Sequence, residues 1–189
     1  MFKLDIKGKF RDTLRYKSIN GITDKVEKRD WKTNQIQDSA SEMIATFLAG
    51  GNGLFSNYNP IKYLALGAGA NNWSDPNNIN KPYDATTLLD EGSITNSRIL
   101  INASDFTYLG SNNTPLSPQG PSNIIKLEVT IPQNNGIGNL REFGLFGGDA
   151  GAGANTGTMI NWIDHPLIVK DNHLIIDREI VLTFSLHRS

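Results

Sequence analysis

The sequence lacks cysteine altogether and contains only three histidines among its 189 residues. Without cysteine the chain has no disulfide bridge, no thiol nucleophile and no cysteine-based zinc site. No window approaches the ~18 apolar residues of a membrane span, and residues 1–12 are charged throughout, without the apolar stretch of a signal peptide. We therefore expect assembly in the cytoplasm and no membrane partner.

An excess of charge of one sign is also lacking, because the formal net charge is −1. Residues 1–37 hold ten Lys and Arg against five Asp and Glu, whereas residues 38–189 hold eight against fourteen. The basic residues near the start are interleaved with acidic ones, so they form no long field of positive charge. A nucleic-acid partner would need such a field, and we expect none.

Sequence motifs for catalysis are absent as well. The glycine-rich run at residues 151–157 lacks the Gly-Lys-Ser/Thr ending of a phosphate loop, and no helical pattern follows it. Asp90 and Glu91 are adjacent, so their side chains diverge instead of forming an acid-base pair. No serine-nucleophile motif occurs. We expect no catalytic residue and no cofactor, and hence no enzyme.

Metal ligands are equally sparse. Asp164-His165 and residues 171–173 offer oxygen and nitrogen donors, but neither group has a third ligand at a diagnostic spacing. Turn-forming aspartates and loop histidines explain both groups. We expect no metal site, with calcium held by loop oxygens of Asp75 or Asp149 as a generic alternative.

The most regular pattern lies in the last third of the chain. Residues 140–146 and 159–163 are short runs rich in β-branched and aromatic residues, which predict two paired strands. The glycine-rich residues 147–157 between them carry no large apolar side chain. We expect them to project as a flexible loop.

A second hairpin is predicted from residues 167–169 and 174–186, joined by a polar turn at residues 170–173. We expect the alternation of the final strand to slip by one residue near Asp177, because two adjacent isoleucines, Ile175 and Ile176, precede it. After that point one face of the strand is apolar: it carries Ile180, Leu182, Phe184 and Leu186.

Other apolar runs predict strands at residues 2–7 (ended by Gly8), 14–22, 61–67, 98–108 and 124–132. A capping box at Ser39 and Glu42 begins an apolar stripe that predicts one helix, which Gly50-Gly51 ends. Residues 86–91 predict a brief helical turn, and residues 68–81 and 110–122 predict surface loops. The fold class is therefore mainly β: an antiparallel β-sandwich with one short amphipathic α-helix and long surface loops.

The chain divides into an extended N-terminal arm for assembly, residues 1–32, and a β-sandwich domain, residues 33–189. Residues 25–31 are too charged for a core except at Val26 and Trp31, and Trp162, in mid-strand, is expected to be core. Strand edges in the arm and outward loops are the predicted contact surfaces. The candidate partner contacts are Phe2, Leu4, Ile6, Trp31, Trp73, Asn112 and Asp149.

A set of short motifs occurs in a fixed order along residues 33–184. The motifs are Asn34-Gln35-Ile36 with Asp38, residues 63–69 (YLALGAG), Leu88-Leu89-Asp90-Glu91 leading to Arg98, residues 141–146 (REFGLF), residues 157–161 (GTMIN) and residues 166–170 (PLIVK). This set resembles a group of tailed-bacteriophage virion proteins described as tail-fibre, baseplate or collar components. The arm and the loops after Gly69 and Gly110 lie outside the resemblance.

The resemblance implies a structural protein of a phage tail or tail-like particle, located in the virion and assembled in the host bacterial cytoplasm. Its partners would be copies of itself in a symmetric ring or fibre attachment, and other tail, neck or baseplate proteins. One alternative is a carbohydrate-binding receptor-recognition module at a tail tip, using loop aromatics such as Trp73. Another is a glycan-cleaving enzyme, which would need two carboxylates converging in a cleft.

Overall fold

The computed structural model describes residues 2–18, 20–38, 40, 44, 59–70, 85–118, 120 and 122–188, with backbone alone for residues 2–4, 59–60 and 186–188. Within these residues ten strands form one curled, half-barrel sheet in which every ladder is antiparallel. The prediction of a mainly β, antiparallel chain is confirmed.

The strands are β1 (Phe2–Lys17), β2 (Thr23–Lys28), β3 (Lys32–Ile36), β4 (Asn59–Gly67), β5 (Arg98–Leu100), β6 (Phe106–Tyr108), β7 (Ile124–Ile131), β8 (Gly138–Gly148), β9 (Thr158–Lys170) and β10 (Leu174–Arg188). Their order across the sheet is β5-β4-β8-β9-β3-β1-β10-β7-β6, and β2 pairs with β1 alone. One turn of 3₁₀-helix, Ala103–Asp105, precedes β6.

The ladder of β1 with β10 is the longest in the sheet. It runs without a register shift from Phe2 opposite Arg188 to Tyr16 opposite Leu174. The expected slip near Asp177 is therefore wrong, and even-numbered residues of β10 from Leu174 to Phe184 face the main core, with Ile180 fully buried. The adjacent isoleucines suggested a slip because Ile175, on the opposite face from Ile176, is also buried, and because the next inward position holds Arg178, which pairs with a buried carboxylate.

The expectation that Gly8 ends the first strand is also wrong. β1 continues through Gly8 to Lys17, and Gly8 lies opposite Asn34 of β3. A Cβ at this position would overlap the Asn34 side chain. Glycine here allows the close approach of a neighbouring side chain, which any larger residue would displace, and it does not mark a turn.

The predicted second hairpin does not form. β9 and β10 follow one another through a three-residue turn, but β3 and β1 lie between them in the sheet. Lys170, expected in the polar turn, is the last residue of β9 and is buried, and its Nζ donates to the carbonyl oxygens of Pro132 (2.9 Å) and Leu174 (2.8 Å). The two strands belong to opposite halves of the curled sheet, so the turn carries the chain across it.

The stretch predicted as one strand at residues 98–108 is divided. β5 lies at one edge of the sheet and β6 at the other, with the 3₁₀ turn between them. The backbone N–H of Asn102 donates to the Asp105 carboxylate at 2.7 Å, a local hydrogen bond of the kind by which Asp favours turns over strands. The helical turn predicted at residues 86–91 is irregular backbone instead.

The core confirms the apolar pattern of the central strands. Leu64 and Leu66 of β4, Leu127 and Ile131 of β7, and Phe143 of β8 are fully buried in one cluster inside the half-barrel. A smaller cluster on the other side of β4, β8 and β9 contains Trp162, as expected for that residue. The predicted helix at residues 39–48 lies outside the described residues except for Ala40 and Ile44, so it stays a prediction.

Candidate interaction sites around the bridging strand

β3 joins the two halves of the sheet. Its first residues pair with β1, with Lys32 opposite Phe10, and its last residues pair with β9, with Gln35 opposite Trp162. Pairing with each neighbour stops where pairing with the other begins. An opening therefore lies on each side of β3, one beside β1 and one beside β9.

The larger opening, of about 620 Å³, is lined by residues 5–8, 33–36 and 162–164. Both atoms of the Asn34 amide are buried there without a hydrogen bond to the described residues. An amide supplies donors and an acceptor, which suits hydroxyl groups of a polar ligand or ordered water. Two carboxylates, Asp5 and Asp164, line the same opening, and Asp5 lies 3.3 Å from the Lys7 amine.

The smaller opening, of about 280 Å³, has a buried ion pair in its wall. Arg178 donates from Nε to Asp12 Oδ1 (2.6 Å) and from Nη2 to Asp12 Oδ2 (2.7 Å), and the side chains are 0% and 1% exposed. The Arg178 guanidinium also lies 3.6 Å from the centre of the Phe143 ring. Burial alone would raise the pKa of Asp12, but the charge and hydrogen bonds of Arg178 outweigh it and lower that pKa.

His165 faces the same opening from β9 and is buried. Burial, reinforced by the charge of Arg178 and opposed by that of Asp12, lowers the pKa of His165 to about 3. The ring is therefore neutral near pH 7. Its Nδ1 lies 2.9 Å from the Pro166 carbonyl oxygen, which makes Nδ1 the donor and leaves Nε2 as an acceptor. A histidine this acidic is poorly matched to proton transfer at neutral pH.

Three nitrogen atoms around this ion pair are buried without a hydrogen bond to the described residues: Arg29 Nη1, Arg178 Nη1 and His165 Nε2. Groups of this kind bind ordered water in most folded proteins. The arrangement joins β1, β9 and β10 and thus has a structural role. Sequence reasoning missed it, although Asp12 and Arg178 each replace an apolar residue in an otherwise apolar alternation.

The predicted metal donors separate. Asp164 and His165 are strand neighbours, so Asp164 lines the larger opening and His165 the smaller one. Asp171 Oδ1 accepts the backbone N–H of His173 at 2.8 Å, as a turn-forming aspartate does. In the part of the chain that the structure describes, no three histidine or carboxylate side chains are grouped as metal ligands.

The glycine-rich loop between β8 and β9 is anchored, contrary to the expectation that it projects freely. Arg98 and Glu91 form a second buried pair, with Arg98 Nε 2.6 Å from Glu91 Oε1. Arg98 Nη1 donates to the Thr156 carbonyl (2.8 Å), and Glu91 Oε2 accepts the Asn155 amide (2.9 Å). The loop backbone therefore satisfies charges buried beneath it. The sequence places Glu91 and Arg98 in one motif of the resemblance but does not indicate that they form an ion pair.

Residues 22–31, here called the exposed segment, form a different kind of surface. β2 pairs on one side with β1, and five of its six residues are exposed. Val26 is 59% exposed and Ile22 67%, so the expectation that Val26 is core is wrong. The Trp31 ring is 37% exposed and lies against Lys9 Nζ (4.8 Å) and Arg11 Cζ (4.6 Å). Cations stack here on an aromatic ring that remains partly open to solvent.

The other predicted contact residues fall in several places. Ile6 is half-buried against the main core, so little of it is free for a partner. Asn112 is exposed in a turn, where its Oδ1 accepts the Thr114 hydroxyl at 2.6 Å, and Asp149 is exposed after β8. Trp73 and the side chains of residues 2–4 lie outside the described residues. Of the predicted contacts, Trp31 alone lies in the exposed segment.

Among the described residues no helix has the length and apolar character to cross a membrane. The chain matches no protein-family model, no curated protein and no solved structure.

Proposed function

We propose that this protein is a structural component of a phage tail or tail-like particle: a tail-fibre, baseplate or collar protein that acts through assembly contacts. Its partners are copies of itself and other tail, neck or baseplate proteins. The exposed segment carries the proposal, because it combines a strand edge that has no strand partner among the described residues with solvent-exposed Ile22, Val26 and Trp31. Exposed edges and apolar groups of this kind favour pairing with another chain.

The placement of the buried charges supports assembly over catalysis. Asp12 with Arg178, and Glu91 with Arg98, tie strands and loops together inside the fold. In the larger opening, the Asp5 carboxylate lies 3.3 Å from the Lys7 amine, as a partly exposed ion pair. We therefore propose that the protein is not an enzyme and binds no cofactor.

The resemblance to virion proteins supplies the location in the proposal. Several of its motifs lie in the core: residues 64–66 and 143–146 are all buried. Core residues specify a fold, so the resemblance supports a shared architecture more directly than shared contacts. The same proposal includes the details of the fold class. The sheet forms two packed layers, as in a β-sandwich, with Phe10 against Phe143 between them (5.0 Å between ring centres), and residues 39–48 form a short amphipathic helix.

In this proposal, only part of the N-terminal arm, residues 1–32, makes assembly contacts. β1 is paired within its own chain to β10 and β3, so it belongs to the sheet. The exposed segment, at the end of the proposed 1–32 assembly arm, is the part that reaches solvent. We propose that this segment, and not the whole arm, carries the arm's contacts.

Incorporation into particles tests the proposal. In cells where this chain is the only source of the protein, we expect wild-type protein in purified particles and markedly less of a Val26→Asp variant. Val169→Asp is the matched control, because Val169 is 66% exposed and lies far along the sequence on β9. Absence of the wild-type protein from purified particles would refute the virion role, and equal incorporation of both variants would refute the role of the exposed segment.

A carbohydrate-binding module is the second candidate, and the Asn34 amide favours it. This amide is buried without a partner among the described residues in an opening large enough for a sugar ring. Glycan-array binding by the wild-type protein, lost in Asn34→Ala and retained in Asn112→Ala, would support it. Loss in Trp73→Ala instead would place the binding site in the loop after Gly69. No binding by the wild-type protein would remove this candidate.

A further inference from the structure

The sequence of β2 has an internal symmetry of charge. Its residues read Thr-Asp-Lys-Val-Glu-Lys, from Thr23 to Lys28. Around Val26, the two adjacent residues are Lys25 and Glu27, and the next two are Asp24 and Lys28. Residues equally distant from Val26 therefore carry opposite charges.

Charges on an edge strand usually prevent indiscriminate pairing. The order of the charges decides whether they also permit one specific pairing. Two copies of β2, antiparallel and centred on Val26, place Lys25 opposite Glu27 of the second copy and Asp24 opposite its Lys28. Opposite charges directly across a ladder stabilise it, and like charges destabilise it.

The nearest alternative registers oppose like charges. A shift by one residue places Asp24 opposite Glu27 of the second copy, or Lys25 opposite its Lys28. A shift by two residues places Lys25, or Glu27, opposite itself. A parallel pair in register places every charge opposite its own kind. The Val26-centred register is thus favoured over these neighbouring registers both by the attraction within it and by the repulsion within them.

The surroundings of β2 leave this pairing accessible. β2 has β1 as its strand partner, and its far edge has no strand partner among the described residues. Lys25 and Glu27 are joined within the chain at 3.6 Å, with side chains 66% and 40% exposed. An exposed ion pair of this kind contributes little. Breaking the Lys25–Glu27 pair within one chain, so that each residue can pair with the second copy, therefore opposes association only weakly.

We propose that β2 is a self-association site, where two copies of this chain pair their β2 strands antiparallel about a two-fold axis at Val26. The contact continues the sheet from one copy into the other and brings the two exposed Val26 side chains together. The inference deepens the proposed assembly function and rests on it. A six-residue strand is a small contact, so the dimer is weak alone and gains strength from other contacts in a larger assembly.

Charge exchange tests the register. Sedimentation of the full-length wild-type protein should show a concentration-dependent dimer. Lys25→Glu and Glu27→Lys should each weaken its dissociation constant by about tenfold or more, since each variant replaces two attractive pairs by two repulsive ones. An equimolar mixture of the two variants should form a heterodimer near wild-type strength. The double variant K25E/E27K, with wild-type composition, should also dimerise.

Glu128→Lys is the matched control, because Glu128 and Lys126 form an ion pair of the same spacing on β7, which has strands on both sides. It should leave the dimer unchanged. Circular dichroism should show that every variant is folded, and the mixture and the double variant keep the test valid if one single variant is not.

Three results would overturn the inference. A wild-type protein that remains monomeric up to ~1 mM lacks even the weak association that a small contact allows. An oligomer indifferent to all β2 variants would place the contact elsewhere, while the proposed assembly function would stand. Weakening by the single variants without recovery in the mixture or the double variant would exclude this register. The assembly function itself fails only if particles lack the protein.

Discussion

The two faces of the β1–β10 ladder carry the same chemistry in different surroundings. On the inner face Asp12 lies opposite Arg178, and on the outer face Arg11 lies opposite Glu179. Both pairs are bidentate, with an Nε–O distance of 2.6 Å in each. The inner side chains are at most 1% exposed, whereas those of Arg11 and Glu179 are 24% and 19% exposed.

The comparison separates what an ion pair contributes from what it costs to break. The charges of the outer pairs are solvated almost as well by water as by each other, so each pair contributes little to the free energy of unfolding. The inner pair has lost its water, and either partner left alone would be a buried, uncompensated charge. Asp12 and Arg178 lie directly opposite each other only in the observed register of β1 and β10. We infer that the inner pair specifies the alignment of the first strand with the last more than it stabilises the fold.

The largest expected effect is the loss of one inner partner. Asp12→Ala leaves Arg178 buried against Phe143 without a carboxylate, and we expect the free energy of unfolding to fall by about 3–5 kcal/mol. Urea unfolding followed by circular dichroism measures it. The double variant Asp12→Leu/Arg178→Met removes both charges and should recover most of the loss. A loss below ~1 kcal/mol for Asp12→Ala would show that water reaches this face.

A second, smaller effect concerns pH. The folded protein keeps His165 neutral down to about pH 3, whereas in the unfolded chain it takes up a proton near pH 6.5. The unfolded state therefore binds more protons between these values, and stability falls as pH is lowered through this window. We expect a loss of about 3 kcal/mol between pH 6.5 and 4.

Burial is the largest cause of the lowered His165 pKa, and the charges that face the ring are those of Arg178, Asp12 and Arg29. The lowered pKa of Asp12 confines its own contribution to more acidic solution, where stability falls as that carboxylate is protonated. His165→Gln should flatten the dependence above pH 4, and the exposed His173→Gln should preserve it. An unchanged slope in His165→Gln would mean that the ring is hydrated in the folded state.

Sequence patterns predicted the elements whose burial follows a simple period. In β7, Leu127, Val129 and Ile131 are buried and alternate with exposed Glu128 and Thr130, as the alternation requires. Trp162 was also correctly assigned to the core. Local periodicity is sufficient here because each residue's surroundings are those of an ordinary half-buried strand.

The patterns failed where a distant partner decides the local structure. Gly8 continues a strand because Asn34 packs against it, and Arg178 occupies a core position because Asp12 lies opposite. The division of residues 98–108 between the two edges of the sheet is likewise a property of the whole fold. The exposed segment shows the same limit. The sequence predicts Val26 in the core, but Val26 is exposed because β2 has only β1 as a strand partner among the described residues.

The smallest expected effect is on the outer face, where Arg15 Nη2 lies 2.6 Å from Asp177 Oδ1. A double-mutant cycle with Arg15→Ala and Asp177→Ala should give a coupling energy of roughly 0.2–1 kcal/mol, diminishing as salt is added. The side chains are 34% and 35% exposed, so water replaces each partner when the other is removed. A coupling above ~2 kcal/mol, insensitive to salt, would mean that a neighbouring molecule covers this face under the conditions of measurement. The difference between the Arg15–Asp177 and Asp12–Arg178 pairs would then depend on assembly as well as on the fold, because an interface that removes water from the outer face would bury both faces of the ladder.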